Sequence, residues 1–153
     1  MSLIFWYLPV AAVQFASARV TIGSMDSWYQ NLEKGWWNPP SWLFGPVWTV
    51  LYALMAVAVW IVYQTDAPRS QKRFAYTLFF SQLAVNGVWS FLFFGLQMPF
   101  LAAIDLLLLN VLIVLTGAHF FRVRPLAGAL FIPYLLWTLY ALSLNGAIWW
   151  LNR

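Results

Sequence analysis

Trp28, Tyr29, Trp36, Trp37 and Trp42 crowd one connector of the chain, in which Asn38 leads into Pro39-Pro40. Four indoles and a phenol present flat apolar faces with one polar handle each. That chemistry suits stacking on a planar ligand, or residence at a membrane–water boundary. The paired prolines stiffen the backbone that carries the rings. A loop with solvation as its only task has no use for these residues, so the segment reads as a lid over a site.

Bond-making chemistry is poorly supplied by comparison. His119 is the single histidine and cysteine is absent, which removes thiolate metal sites, disulfides and cysteine nucleophiles together. Asp105 is the only acid inside a hydrophobic stretch. It stands about 21 Å from His119 along a helix, too far for an acid–base pair. His119 is expected as an interfacial side chain far from the lid, and Asp105 as a hydrogen-bonding partner of a neighbouring helix. No Gly-rich phosphate loop, HExxH or Ser-His-Asp set occurs. The inventory points to binding, with no required cofactor and no metal site.

Composition decides what positions these residues. Hydrophobic residues make up 63% of the 153 and charged residues 8%, and the mean hydropathy is +0.75. A soluble domain carries about a quarter charged residues, so this chain is expected in a bilayer. The net charge of +4 does not point to nucleic acid, because basic residues spread over loops are what orients a membrane protein. At about 20 residues per span, the length accommodates a single domain, 1–153, of five transmembrane helices. The predicted spans are 3–22, 46–63, 74–94, 100–121 and 126–150, an all-α bundle with the Trp/Pro-rich loop between its first two helices. Pro133 is expected to kink the fifth span, and Gly95 and Pro99 to bracket a very short hairpin.

Polar residues inside hydrocarbon are costly and usually face a bundle interior or a cavity. Gln82, Asn86, Trp89 and Phe93 recur at helical spacing on one face of the third span; Trp48, Tyr52 and Met55 do so on the second, and Pro133, Trp137 and Tyr140 on the fifth. Taken one helix at a time, such faces suit helix–helix contacts. Successive spans run in opposite directions, however. Trp48, Tyr52, Asn86, Trp89, Phe93, Asp105, Tyr140 and Asn145 therefore all fall in the half of the membrane beneath the connector. A shallow aromatic cavity with a few amides, closed by the lid, follows.

Four blocks carry a resemblance at this point. Trp28-Tyr29-x-x-Leu32-x-Lys34-x-x-Trp37-Asn38-Pro39-Pro40, Val47-Trp48-x-x-Leu51-Tyr52, Gln82-Leu83-x-x-Asn86-x-x-Trp89-Ser90-x-x-Phe93-Phe94 and Pro133-Tyr134-Leu135-x-Trp137-x-x-Tyr140-Ala141-x-x-Leu144-Asn145 resemble the signature blocks of the translocator protein/tryptophan-rich sensory protein family. The resemblance implies a five-helix bundle, commonly a homodimer, that binds porphyrins such as protoporphyrin IX and haem. In animal relatives it extends to cholesterol and benzodiazepine-type drugs. Pocket positions carried over are Trp28, Tyr29, Trp37, Trp48, Tyr52, Asn86, Trp89, Phe93, Trp137 and Tyr140, to which Asn38, Pro39, Pro40 and Asn145 are added from the residue reading. Gly35 departs from the proline relatives often carry after the lysine. No basic residue follows Tyr140 before Arg153, so the sterol-type pattern is missing. The expected function is a tetrapyrrole-binding sensor or regulator. The alternatives are a transporter of such hydrophobic ligands and light-dependent porphyrin breakdown, the one enzymatic reading.

Basic residues set an expected orientation. Arg69, Lys72, Arg73, Arg122 and Arg124 lie on the face bearing the N-terminus, against Lys34 and Arg153, with Arg19 nearby, on the other. The positive-inside rule places the N-terminus in the cytoplasm of a bacterial cell, with an outer or organellar membrane as the alternative location. In this cysteine-free chain, single cysteines at Ser27 and Ser70 test the orientation. An impermeant thiol reagent applied to spheroplasts is expected to label the first and spare the second; the reverse pattern inverts the topology.

Overall fold

The computed structural model describes Met1–Arg153 and is entirely helical. Its helices are α1 (Leu3–Met25), α2 (Phe44–Gln64), α3 (Arg69–Ser90), α4 (Pro99–Val123), α5 (Pro125–Ala129) and α6 (Ile132–Leu151). Five segments are long and apolar enough to cross a membrane, the last of them Pro125–Leu151, which combines α5 and α6. Each predicted span is present, and each extends beyond its predicted bounds. The largest extension is at α3, where Arg69–Arg73 belong to the helix rather than to a polar turn. Pro68 fixes that start: its own φ suits the residue before a helix, and it biases Ala67 away from helical geometry.

Prolines open three further helices, whereas α1 carries Pro9 in its interior. Pro99 and Pro125 stand in the first turns of α4 and α5, and Pro133 in the first turn of α6, positions where a missing N–H leaves no intrahelical bond unmade. The break in the fifth span therefore lies at Leu130–Phe131, ahead of Pro133, and not at a kink inside a continuous helix. Gly128 sits against α4 at this corner. A Cβ there would lie 2.5 Å from Phe121 Cβ and 2.6 Å from its Cα and N, so only glycine admits so close an approach of backbones.

The helices close into a ring in which α1 touches α2 and α3, α4 packs between α3 and α6, and α5 reaches α2. At its centre runs a chain of polar contacts. Tyr52 Oη donates to Asn86 Oδ1 (2.6 Å), Asn86 Nδ2 to Tyr134 Oη (2.7 Å), and Tyr134 Oη to Gln82 Oε1 (2.9 Å), while Gln82 Nε2 approaches the Met55 sulfur at 3.8 Å. All five side chains are buried, and the chain ties α2, α3 and α6 together. A second bond set joins α4 to α6 through Thr138 Oγ1, which donates to Asn110 Oδ1 (2.9 Å).

Asn86→Ala would take the acceptor from the buried Tyr52 hydroxyl and one of its two partners from the Tyr134 hydroxyl, which keeps Gln82. The expected loss is about 1–3 kcal/mol, above the ~0.6 kcal/mol average for an interhelical bond in a bilayer. Gly128→Ala is expected to lower the melting temperature as well, by forcing α5 off α4. Thr77→Ala serves as the reference, because Thr77 is exposed and bonds only Arg73 O of its own helix. Thermal melts in detergent that rank Asn86→Ala no lower than Thr77→Ala would remove the network from its structural role.

Candidate functional site

Helix α3 ends in a π-helical turn, Phe91–Gly95, closed by Leu96 N bonding Phe91 O at 2.8 Å. Ordinary α spacing carries the Gln82, Asn86, Trp89 face on to Phe93. The wider turn brings Phe94 inward as well, so that both rings are buried. Ser24 of α1 donates to Phe94 O at 2.5 Å, holding this turn against the end of α1. Gln97 completes the hairpin in the left-handed region at φ 57°.

The main cavity lies between α1, α2 and this end of α3, with a volume of about 390 Å³. Trp48, Tyr52, Trp89, Phe44 and Phe94 wall it with rings, and α1 contributes Gln14, Ser17 and Thr21. Trp48 is the centre of the aromatic wall: its ring lies 5.6 Å from Tyr52 and 6.5 Å from Trp89, each tilted by about 30° (33° and 31°). A second, much smaller cleft of about 30 Å³ opens behind Trp89, lined by Tyr29, Phe93, Asn145 and Ile148 among others.

The predicted site residues divide accordingly. Trp48, Tyr52 and Trp89 line the main cavity. Tyr29, Phe93, Asn145 and Trp89 line the small cleft, where Trp89 Nε1 donates to Asn145 Oδ1 (3.0 Å) and Asn145 Nδ2 to Pro99 O (2.8 Å). Asn86 lines neither, since both ends of its amide are taken up in the central network. Trp28 packs edge-on against Phe93 at 5.4 Å. Trp137 sits edge-on to Phe44 at 6.0 Å, one ring behind the cavity wall, with its Nε1 buried and unpartnered.

The connector closes the end of the bundle. Tyr140 Oη donates to Trp37 O (2.5 Å) and Trp37 Nε1 to Ser143 Oγ (3.1 Å), which pins the indole to α6. Asn38 Nδ2 donates to Tyr29 Oη (3.0 Å). Burial raises the Tyr29 phenol above its ordinary pKa, against the opposing effect of that bond. Glu33 N donates to Asn152 Oδ1 (3.0 Å) and Asn152 Nδ2 back to Glu33 O (2.8 Å). Lys34 bonds Leu32 O and lies over the Tyr29 ring at 4.7 Å; partial burial lowers its pKa. The half-buried Pro39 and exposed Pro40 steer the chain into the 3₁₀ turn Ser41–Leu43 that starts the second span.

Two expectations about ionisable groups resolve differently. His119 is on the last turns of α4, at the opposite end of the bundle, bonded to Gln71 O (3.0 Å) and edge-on to Phe74. Asp105 does not hydrogen-bond a neighbouring helix: its Oδ2 is buried with no partner, because it sits at the edge of the α4 face that packs against α3 and α6 and no donor there reaches it. No group of three His, Asp or Glu side chains converges anywhere.

Sequence reasoning missed the α1 wall. Gln14, Ser17 and Thr21 have helical spacing, but they were read as part of an unremarkable apolar span. It also missed Tyr134 as the hub of the network, because the Pro133, Trp137, Tyr140 face lies one residue round from the buried Tyr134, Thr138, Ala141, Asn145, Ile148 face. Phe94 was hidden for another reason, since a π turn leaves no mark in the periodicity.

Comparison with known proteins places these features in a lineage. Residues 5–151 match the TspO/MBR family. The chain is similar to the tryptophan-rich protein TspO of Archaeoglobus fulgidus, 38% identical over 99% of this chain and 97% of that one. Similarity to the tryptophan-rich sensory protein of Cereibacter sphaeroides is 36% over 92% and 88%. Human translocator protein is 35% identical over 88% and 80%. With its five apolar helices, its Trp-rich connector and this match along nearly its whole length, the chain is an integral, multi-pass membrane protein that belongs to the TspO/MBR family.

Proposed function

We propose that this protein is a membrane-embedded receptor for a planar tetrapyrrole of the protoporphyrin IX or haem type, acting as a sensor or regulator of its level. The observation that carries the reading is the 390 Å³ cavity walled by Trp48, Tyr52 and Trp89 inside the span region. That volume is within the range of small-molecule sites, about 300–1,000 Å³. A wall of rings can stack on one face of a flat macrocycle, and a bilayer supplies such a ligand directly. Ligand binding requires no catalytic group, and none faces the cavity: its titratable lining side chain is the Tyr52 phenol, which is held by Asn86. In this reading the N-terminus is cytoplasmic, the connector faces outward from a bacterial cell membrane, and the protein works as a homodimer.

Trp48→Leu tests the reading, because Trp48 makes ring contacts but no hydrogen bond whose loss would complicate folding. Titration with protoporphyrin IX in detergent, followed by quenching of the remaining tryptophans, is expected to show affinity falling about ten-fold or more, the loss of about 1–3 kcal/mol expected for a buried aromatic anchor. Trp60→Phe, on the half of α2 away from the connector, is the control for the missing fluorophore and is expected to bind as the parent does. Equal affinity of the parent and Trp48→Leu would move the ligand out of this cavity.

A further inference from the structure

At the end of the bundle opposite the main cavity, the corner where α4 meets α5 and α6 opens outward as a groove of about 210 Å³. Nine residues line it, none with a polar side chain. Ile113, Gly128 and Phe131 are buried and form its floor, while Val114 and Ala118 of α4 and Ile132 of α6 stand exposed at its rims. Gly117 lets Phe131 lie close on α4, since a Cβ there would be 3.2 Å from Phe131 Cβ. Positive charge stands at one end of this groove. Val114, Ala118 and Arg122 recur every four residues, so Arg122 continues the α4 rim. Arg124 occupies the turn into α5, where its N–H bonds Phe120 O. Both arginines are exposed, and neither guanidinium is taken by a hydrogen bond, an acid or a ring, unlike Lys72 on Tyr63 O and Arg153 on Trp150. Of the four acids only Asp66 lies at this end, in the α2–α3 turn. From Arg122 to Ile113 the groove runs about 14 Å along α4, close to the ~15 Å of one hydrocarbon leaflet.

We propose that this groove is a binding site for an anionic phospholipid, with one acyl chain along the floor between Ile113 and Phe131 and the phosphate against Arg122 and Arg124. An apolar slot of leaflet depth with cations at its interfacial end matches that ligand part for part. A bare hydrocarbon would use the slot and leave the guanidiniums to water; a soluble phosphate would use the guanidiniums and leave the slot. Basic pockets between spans are where such headgroups are recognised. The site is separate from the ligand cavity and does not depend on what fills it.

Native mass spectrometry of the detergent-solubilised chain measures lipid retention, with phosphatidylglycerol and phosphatidylcholine of identical acyl chains as the probes. Phosphatidylglycerol is expected to bind about ten-fold tighter. Arg122→Gln/Arg124→Gln is expected to remove most of that preference. Arg69→Gln/Arg73→Gln takes the same charge from exposed positions on α3 at the same end, and is expected to leave the preference intact. Ala118→Phe fills the slot from an exposed position and is expected to weaken both lipids several-fold, with melting in lipid-free detergent unchanged. Equal binding of the two lipids by the parent, equal losses from the two arginine pairs, or parental retention by a folded Ala118→Phe overturns the proposal; if Ala118→Phe does not fold, the arginine pairs decide. Conversion of a dimer to a monomer by Ala118→Phe, with lipid retention unchanged in both arginine variants, would make the groove an interface between copies and overturns it likewise.

Discussion

The Tyr52–Asn86–Tyr134–Gln82 chain is the constraint on which the rest of the bundle depends. In hydrocarbon a polar side chain has no water to fall back on, so each of these groups must find its partner on another helix, and each does. Satisfying them fixes the rotation and depth of α2, α3 and α6 relative to one another. Apolar packing alone is less selective, because lipid tails compete with it on nearly equal terms. With those three helices set, Trp48 and Trp89 have no choice of direction, and they become the wall of a cavity.

The cavity exists because α1 does not share in this network. Only Trp6, Val10 and Ser24 of its 23 residues are buried. It is held at its ends, by Trp6 packed on Tyr63 and Tyr76 and by the Ser24 bond to Phe94 O. Between those anchors Val10 is buried, Val13 lies against Gly87 of α3, and Gln14 bonds Thr49 of α2 beside the cavity. Core and site are thus two outcomes of one arrangement: three helices drawn tight by buried amides and phenols, and a fourth packed along α2 and α3 outside that network.

Much of this was legible in the chain. Hydropathy gave five spans, and alternation of direction brought Trp48, Tyr52 and Trp89 to one cavity, while Asn86 went to the central network. What periodicity could not supply was the division of labour among those faces. Asn86 and Trp89 share a stripe, yet the amide is consumed by two phenols while the indole forms a wall, and only the rotation of α2 and α6 decides which. Tyr134 was overlooked because a helix rich in aromatics presents several plausible faces. Gln14, Ser17 and Thr21 were overlooked because α1 reads as uniformly apolar unless a cavity beside it is already known. Helix ends ran past their predicted limits where charged residues continue a helix beyond the hydrocarbon, as at Arg69–Arg73.

The reciprocal bonds between Glu33 and Asn152, with those of Trp37 to Tyr140 and Ser143, clamp the connector to the end of α6. The ordering of a long, ring-laden loop is commonly a charge against binding, since each immobilised side chain gives up rotational freedom when the ligand arrives. Here that conformational entropy is surrendered during folding, and the two prolines have already reduced it in the unfolded chain. The connector is preorganised, so a contact made on it at this end of the bundle costs little further ordering.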